Sequence, residues 1–254
     1  MIKYTEELKI YTHYTDFNGR LSTRYLCDLF NDVANEQTLH LHFDVGTLHA
    51  QGLTWMLHKL HVQVGRLPLK GENVTLETWP SGTDRLFAFR DFNLLASDGE
   101  RLVEASSEWM VIDLQRRRPV RLPAVVMEVA RRSGEVTPRL QFPLDTRNFP
   151  VEVEQESPFS ASYSSIDFNK HVTQAAYVGW VIDSLPFDFL RQHELRELEI
   201  VYEHEILPGS NVWAGYRMES REDGVEVAHR VRNDARDKTH CMARTHWKRA
   251  SYKK

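Results

Sequence analysis

Asp16-Phe17-Asn18-Gly19-Arg20-Leu21 and Asp167-Phe168-Asn169-Lys170-His171-Val172 repeat one pattern 151 residues apart. Self-similarity at a fixed offset points to a repeated architecture that local propensity does not reveal. Each copy leads into a helical pattern. After the first, Tyr25, Leu26, Leu29, Phe30 and Val33 fall at helical spacing, with Ser22 available as an N-cap. After the second, Tyr177, Trp180, Val181 and Leu185 do the same before Pro186 stops the helix.

Working outward, each helix is followed by strand-like runs rich in Val, Leu, Trp and Thr, broken at Pro68 to Gly71 and at Pro208-Gly209. Asn73-Val74 is echoed by Asn211-Val212 and Trp109 by Trp247, now at an offset of 138, so the second half has a shorter connection after its helix. One helix followed by several antiparallel strands, twice over, is an α+β architecture in which a sheet wraps a helix in each half. The halves are expected to pair as an intrachain pseudo-dimer, because each sheet alone would leave a long edge exposed. The expected divisions are an N-terminal domain over 1–132, a linker over 133–158 carrying Pro138, Pro143, Pro150 and Pro158, and a C-terminal domain over 159–254.

Composition narrows the function. With 32 Lys and Arg against 36 Asp and Glu, the net charge of −4 supplies no global positive field for nucleic acid or an anionic membrane. The longest nearly apolar run, Ala175 to Ile182, is far shorter than the roughly 18 residues that span a bilayer. Two cysteines, Cys27 and Cys241, fit a reducing compartment, and Met1 to Leu8 has no basic segment followed by an apolar stretch, so a cytoplasmic location is expected. Gly-x-Gly-x-x-Gly, P-loop and Gly-x-Ser-x-Gly motifs are absent, as is His-Glu-x-x-His. His58 and His61 stand three apart on a strand pattern, and His40 and His42 lack a suitably spaced carboxylate, so neither metal nor cofactor is expected.

The second Asp-Phe-Asn-Lys-His-Val resembles the Asp-x-Asn-x-His-Val element of plant and bacterial acyl-acyl carrier protein (ACP) thioesterases. Three further stretches are similar to that family: Trp55 to Val62 with Arg66-Leu67-Pro68, then Gly71 to Trp79, and Leu198 to Glu205. The resemblance implies two tandem hotdog domains, an acyl-chain tunnel in the first and hydrolysis of fatty acyl-ACP by the second. It also places a further acid at Glu205. The family often has Cys at the next position, where this chain has Ile206, so a thiol nucleophile is not available there.

The residues suit that chemistry on their own terms. Thioester hydrolysis needs an activated water and a donor for the developing oxyanion. In an extended segment, Asp167, Asn169 and His171, spaced by two, point to one side ahead of a helix N-terminus. Asn169 can hold a water or a carbonyl, His171 can transfer a proton near neutral pH, and Asp167 can orient either. Alternatively, Asp167 and Asn169 build an Asx turn and cap the helix. The first half carries Arg20 where His171 stands, which separates the histidine from the shared turn. The base is Glu205, His171 or both in one proton network. Strand alternation sets Glu205 on a charged face with Glu199, Val201 and Glu203, a solvated face unless a bulge or the meeting of the two halves buries the strand end; Glu205 is the choice by resemblance and Glu203 the fallback.

The expected function is therefore hydrolysis of acyl-ACP, with ACP as partner. Alternatives are an acyl-CoA thioesterase of the same fold, a non-catalytic acyl-thioester binding protein, and a hydratase of the same fold. Arg116-Arg117-Arg118-Pro119-Val120-Arg121 either docks the acidic carrier or is an ordinary solvated loop. Assembly as a homodimer stays open.

Overall fold

The computed structural model describes residues 2–134, 137–150, 152–167 and 170–250. Two compact units emerge, one of residues 1–21 and 28–142, the other of residues 22–27 and 143–254. In the first, β1 (Tyr4–Lys9), β2 (Leu53–Val64), β3 (Asn73–Asp84), β4 (Phe87–Ala96) and β5 (Arg101–Asp113) join in the order β1-β3-β4-β5-β2, every pair antiparallel. A short β6 (Arg118–Val120) extends β5 into a hairpin. Before β2 come α1 (Thr23–His40) and α2 (Val45–His49), and α3 (Ala124–Ser133) follows β6.

The second unit runs β7 (Gln155–Ser160), α4 (Gln174–Asp183), α5 (Phe187–Gln192), β8 (His193–Tyr202), β9 (Asn211–Arg221), β10 (Gly224–Asn233) and β11 (Thr239–Arg249). Its strands pair antiparallel in the order β7-β9-β10-β11-β8, the connectivity of the first unit strand for strand. The duplication read from the Asp-Phe-Asn repeat is thus a duplication of topology. Gln155 to Pro158, within the interval expected to link the halves, is part of β7.

Helix packing follows from composition. Phe30 of α1 stacks on Phe92 of β4 with ring centroids 4.6 Å apart, and Leu29, Val33 and Ala34 are buried beside it. In α4 every residue from Ala175 to Val181 is buried, as a helix apolar on nearly all sides must be. The opposite face of the first sheet carries a buried Asp91. Its carboxylate accepts from the Ser106 hydroxyl at 2.7 Å and from the Arg139 amide at 3.1 Å, while Leu140 N–H donates to Ser106, so residues 139–140 seal that face. The matched tryptophans make matched bonds: Trp109 Nε1–H donates to the Ser107 hydroxyl at 2.8 Å and Trp247 Nε1–H to the Thr245 hydroxyl at 2.7 Å. Among the described residues no helix is long and apolar enough to cross a membrane.

One core position differs between the copies in a way that can be measured. Phe92 pairs with Thr78 and Ala105, and His229 pairs with Tyr216 and Ala243, which lie 138 residues beyond Thr78 and Ala105, so His229 occupies the Phe92 position in the ladder. It is buried, its Nε2 meets the Thr245 hydroxyl at 2.8 Å, and its Nδ1 has no partner among the described residues. Burial pushes its pKa from the ordinary 6.5 down to about 3, so the folded protein holds it neutral. The unfolded chain binds that proton more readily. Between about pH 6.5 and pH 3, stability therefore falls as pH falls, by at most about 1.4 kcal/mol per pH unit from this group. Replacing it by the residue of the first copy, His229→Phe, is expected to remove one proton's worth of slope. Urea unfolding at pH 7, 6, 5 and 4.5 on both proteins measures the difference, and parallel slopes would refute the assignment.

Candidate active site

The first Asp-Phe-Asn segment folds as a turn, and in the second Asp167, Lys170 and His171 make the same backbone bonds. In the first unit, Asp16 N–H donates to the Arg20 carbonyl at 2.7 Å and Gly19 N–H to the Asp16 carbonyl at 3.0 Å. The Asp16 carboxylate accepts from the Asn18 and Arg20 amides at 2.8 and 3.0 Å. In the second, Asp167 N–H donates to the His171 carbonyl at 2.9 Å, Lys170 N–H to the Asp167 carbonyl at 3.0 Å, and Asp167 Oδ1 accepts from His171 N–H at 3.2 Å. Gly19 and Lys170 hold the left-handed position at φ 73° and 65°, a conformation natural to glycine and costly for lysine. Asn169 and Phe168 lie outside the described residues.

The turn fixes where the histidine goes. His171 precedes Val172 and Thr173, and Thr173 caps α4 by accepting from Ala176 N–H at 3.2 Å. Val172 N–H reaches across to the Ile206 carbonyl at 3.3 Å, as Leu21 N–H reaches the Pro68 carbonyl at 2.8 Å in the first unit. This bond lays the loop after β8 alongside the turn. His171 Nε2 then meets Glu205 Oε2 at 2.9 Å, with the two side chains 36% and 40% exposed. That is open enough for water and substrate to reach the pair.

The alternation that set Glu205 on a solvated strand face does not reach it, because β8 ends at Tyr202. Beyond it, Glu203 and His204 N–H both donate to the His240 carbonyl, at 2.9 and 3.2 Å. This irregularity breaks the period of two and turns Glu205 toward His171. Glu203 is exposed and belongs to the same loop. The first unit builds the same loop, with Gly65 and Arg66 N–H donating to the Leu102 carbonyl at 3.0 and 3.3 Å. There, however, Arg20 and Leu67 occupy the positions of His171 and Glu205.

Neither thiol suits nucleophilic attack at this site. Both cysteines are buried and neither forms a disulfide, and burial drives the Cys241 thiol far above its ordinary range. Ile206, next to Glu205, is buried and aliphatic. The arginine run lies at the β5–β6 turn, where Arg116, Arg117, Arg118 and Arg121 are all exposed.

Similarity to known proteins runs along most of the chain. The model of the acyl-ACP thioesterase N-terminal domain matches residues 1–129, and that of the acyl-ACP thioesterase C-terminal domain matches residues 149–249. The chloroplastic oleoyl-acyl carrier protein thioesterase of Coriandrum sativum is 23% identical, over all of this chain and 79% of its own length. The chloroplastic oleoyl-acyl carrier protein thioesterase 2 of Arabidopsis thaliana is 25% identical over 80% of the chain, which covers 59% of that relative. Among solved structures, a putative oleoyl thioesterase from Lactobacillus plantarum superposes with a TM-score of 0.89 at 25% identity, covering 98% of this chain and 97% of the other. The 12:0-ACP thioesterase of Umbellularia californica shares the fold, with a TM-score of 0.83 at 18% identity over 98% and 95% of the two chains. With two tandem hotdog units and both domain models matched in order, the chain belongs to the acyl-ACP thioesterase family.

Proposed function

We propose that this protein hydrolyses the thioester of a fatty acyl chain carried on ACP, releasing the free fatty acid, and that His171 and Glu205 activate the attacking water. The observation that carries the reading is the 2.9 Å contact between His171 Nε2 and Glu205 Oε2, present in one copy of the repeat and replaced by Arg20 and Leu67 in the other. A carboxylate and an imidazole in hydrogen-bond contact form a single proton-accepting unit. Water bound to it loses a proton as its oxygen bonds to the thioester carbonyl carbon. The tetrahedral intermediate collapses by breaking the C–S bond, and the stored proton passes to the departing pantetheine sulfur. Asn169, two residues before His171, and a backbone N–H at the start of α4 supply donors for substrate and oxyanion. Asp167 shapes the turn, as its bond to His171 N–H supports.

ACP as the carrier rests on the family, and the exposed Arg116 to Arg121 tip is of the charge that suits an acidic partner. A cytoplasmic location fits two buried thiols that form no disulfide. Thiol release measured on matched acyl-ACP and acyl-CoA over a series of chain lengths tests the carrier, and equal or greater rates on acyl-CoA would overturn that part. His171→Ala and Glu205→Gln should each lower kcat by about two to four orders of magnitude without unfolding the protein. Near-normal turnover in His171→Ala would remove the dyad from the mechanism. Cys27→Ala and Cys241→Ala should keep kcat within about threefold of the parent, and loss of turnover in a folded Cys variant would restore a thiol mechanism.

A further inference from the structure

Glu205 sits on a loop, and a loop holds a carboxylate at reacting distance only if its backbone is restrained. Two side chains supply that restraint. The Tyr177 hydroxyl, on α4, donates to the His204 carbonyl at 3.2 Å, and the Ile206 N–H in turn points at the Tyr177 hydroxyl oxygen. One phenol therefore grips the peptide groups on both sides of Glu205. The His240 ring, on β11, approaches the same His204 carbonyl through Nδ1 at 3.3 Å. A carbonyl only accepts, so Nδ1 carries the proton. Burial, the largest influence on His240, pushes its pKa below the ordinary imidazole value and favours this neutral tautomer.

The repeat supplies an internal control. The backbone of this loop is built identically in both units, including the paired N–H bonds to residues 102 and 240. The side-chain grip is not. At the offsets that align the units, Tyr177 corresponds to Leu26 and His240 to Leu102, both leucines fully buried. The unit with Arg20 and Leu67 thus carries hydrocarbon at both gripping positions, and the unit with His171 and Glu205 carries a hydroxyl and an imidazole. Folding the loop requires neither polar group, since the first unit folds it without them.

We infer that Tyr177 and His240 are positioning residues for the reaction, which together fix the backbone on either side of Glu205 so that its carboxylate meets His171. The inference rests on the reading of His171 and Glu205 as the proton-transfer pair. Neither side chain reaches the reacting atoms in this role. Both act through the geometry of Glu205, and removing either lets the carboxylate drift by a fraction of the distance over which proton transfer operates.

The test is steady-state thiol release from acyl-ACP by Tyr177→Phe, His240→Leu and His240→Asn, with thermal unfolding recorded for each. Tyr177→Phe and His240→Leu should lower kcat by about tenfold to a hundredfold while KM stays within about twofold. His240→Asn, whose amide N–H can take the place of Nδ1–H, should recover to within about threefold of the parent. Adding Tyr177→Phe to Glu205→Gln should cost nothing more, because the grip acts only through that carboxylate. Parent kcat in both Tyr177→Phe and His240→Leu, or a full additional loss in the Glu205→Gln background, would overturn the inference. Failure of the underlying reading looks different: Glu205→Gln alone would then keep the parent kcat. Should His240→Leu melt early, Tyr177→Phe, which removes one oxygen and no volume, decides the matter.

Discussion

The site depends on one backbone hydrogen bond, from Val172 N–H to the Ile206 carbonyl. It joins a turn ahead of a helix to a loop beyond a long strand, and without it His171 and Glu205 belong to unrelated parts of the unit. The bond is possible because Asp167 closes the turn through its own backbone and carboxylate, presenting residue 172 outward. The equivalent bond from Leu21 to Pro68 shows that the constraint belongs to the fold and precedes any chemistry placed on it. What the second unit adds is a choice of side chains at positions the fold has already brought together.

Those choices are consistent with one another. Around His171 and Glu205 the second unit places polar groups that bond backbone, Tyr177 on α4 and His240 on β11, both buried. Buried hydroxyl and imidazole groups are costly unless bonded, and here both meet the His204 carbonyl, a bond that leucine cannot make. His229 is the contrasting case. It too is a buried polar group where the first unit has a hydrocarbon, yet one of its ring nitrogens has no partner among the described residues, and burial holds the ring neutral.

Much of this was legible in the sequence, because a duplicated chain offers itself as its own alignment. The offsets of 151 and 138 carried the α+β topology, the matched tryptophans and the substitution of Arg20 for His171. Alternation failed at Glu205, since a period of two holds only while a strand lasts and β8 stops at Tyr202. Two-residue spacing likewise suggested an extended Asp167 to His171, whereas Asp167 bonds to Lys170 and His171 through its backbone and Lys170 holds a left-handed φ of 65°. Tyr177 read as one more apolar residue on a helical face because periodicity sees its ring and not its hydroxyl. His240 was one histidine among 12, and only its pairing with Leu102 across the repeat distinguishes it.

The two copies are covalently joined yet chemically unlike. In an assembly of identical chains every substitution is made in all copies at once, so a change that improves one surface is imposed on its counterpart. Here each position exists once. Arginine can stand at 20 while histidine stands at 171, and leucine at 26 and 102 while tyrosine and histidine stand at 177 and 240. The pair at 171 and 205 and its counterpart at 20 and 67 can therefore vary independently, with no compromise residue required to serve both.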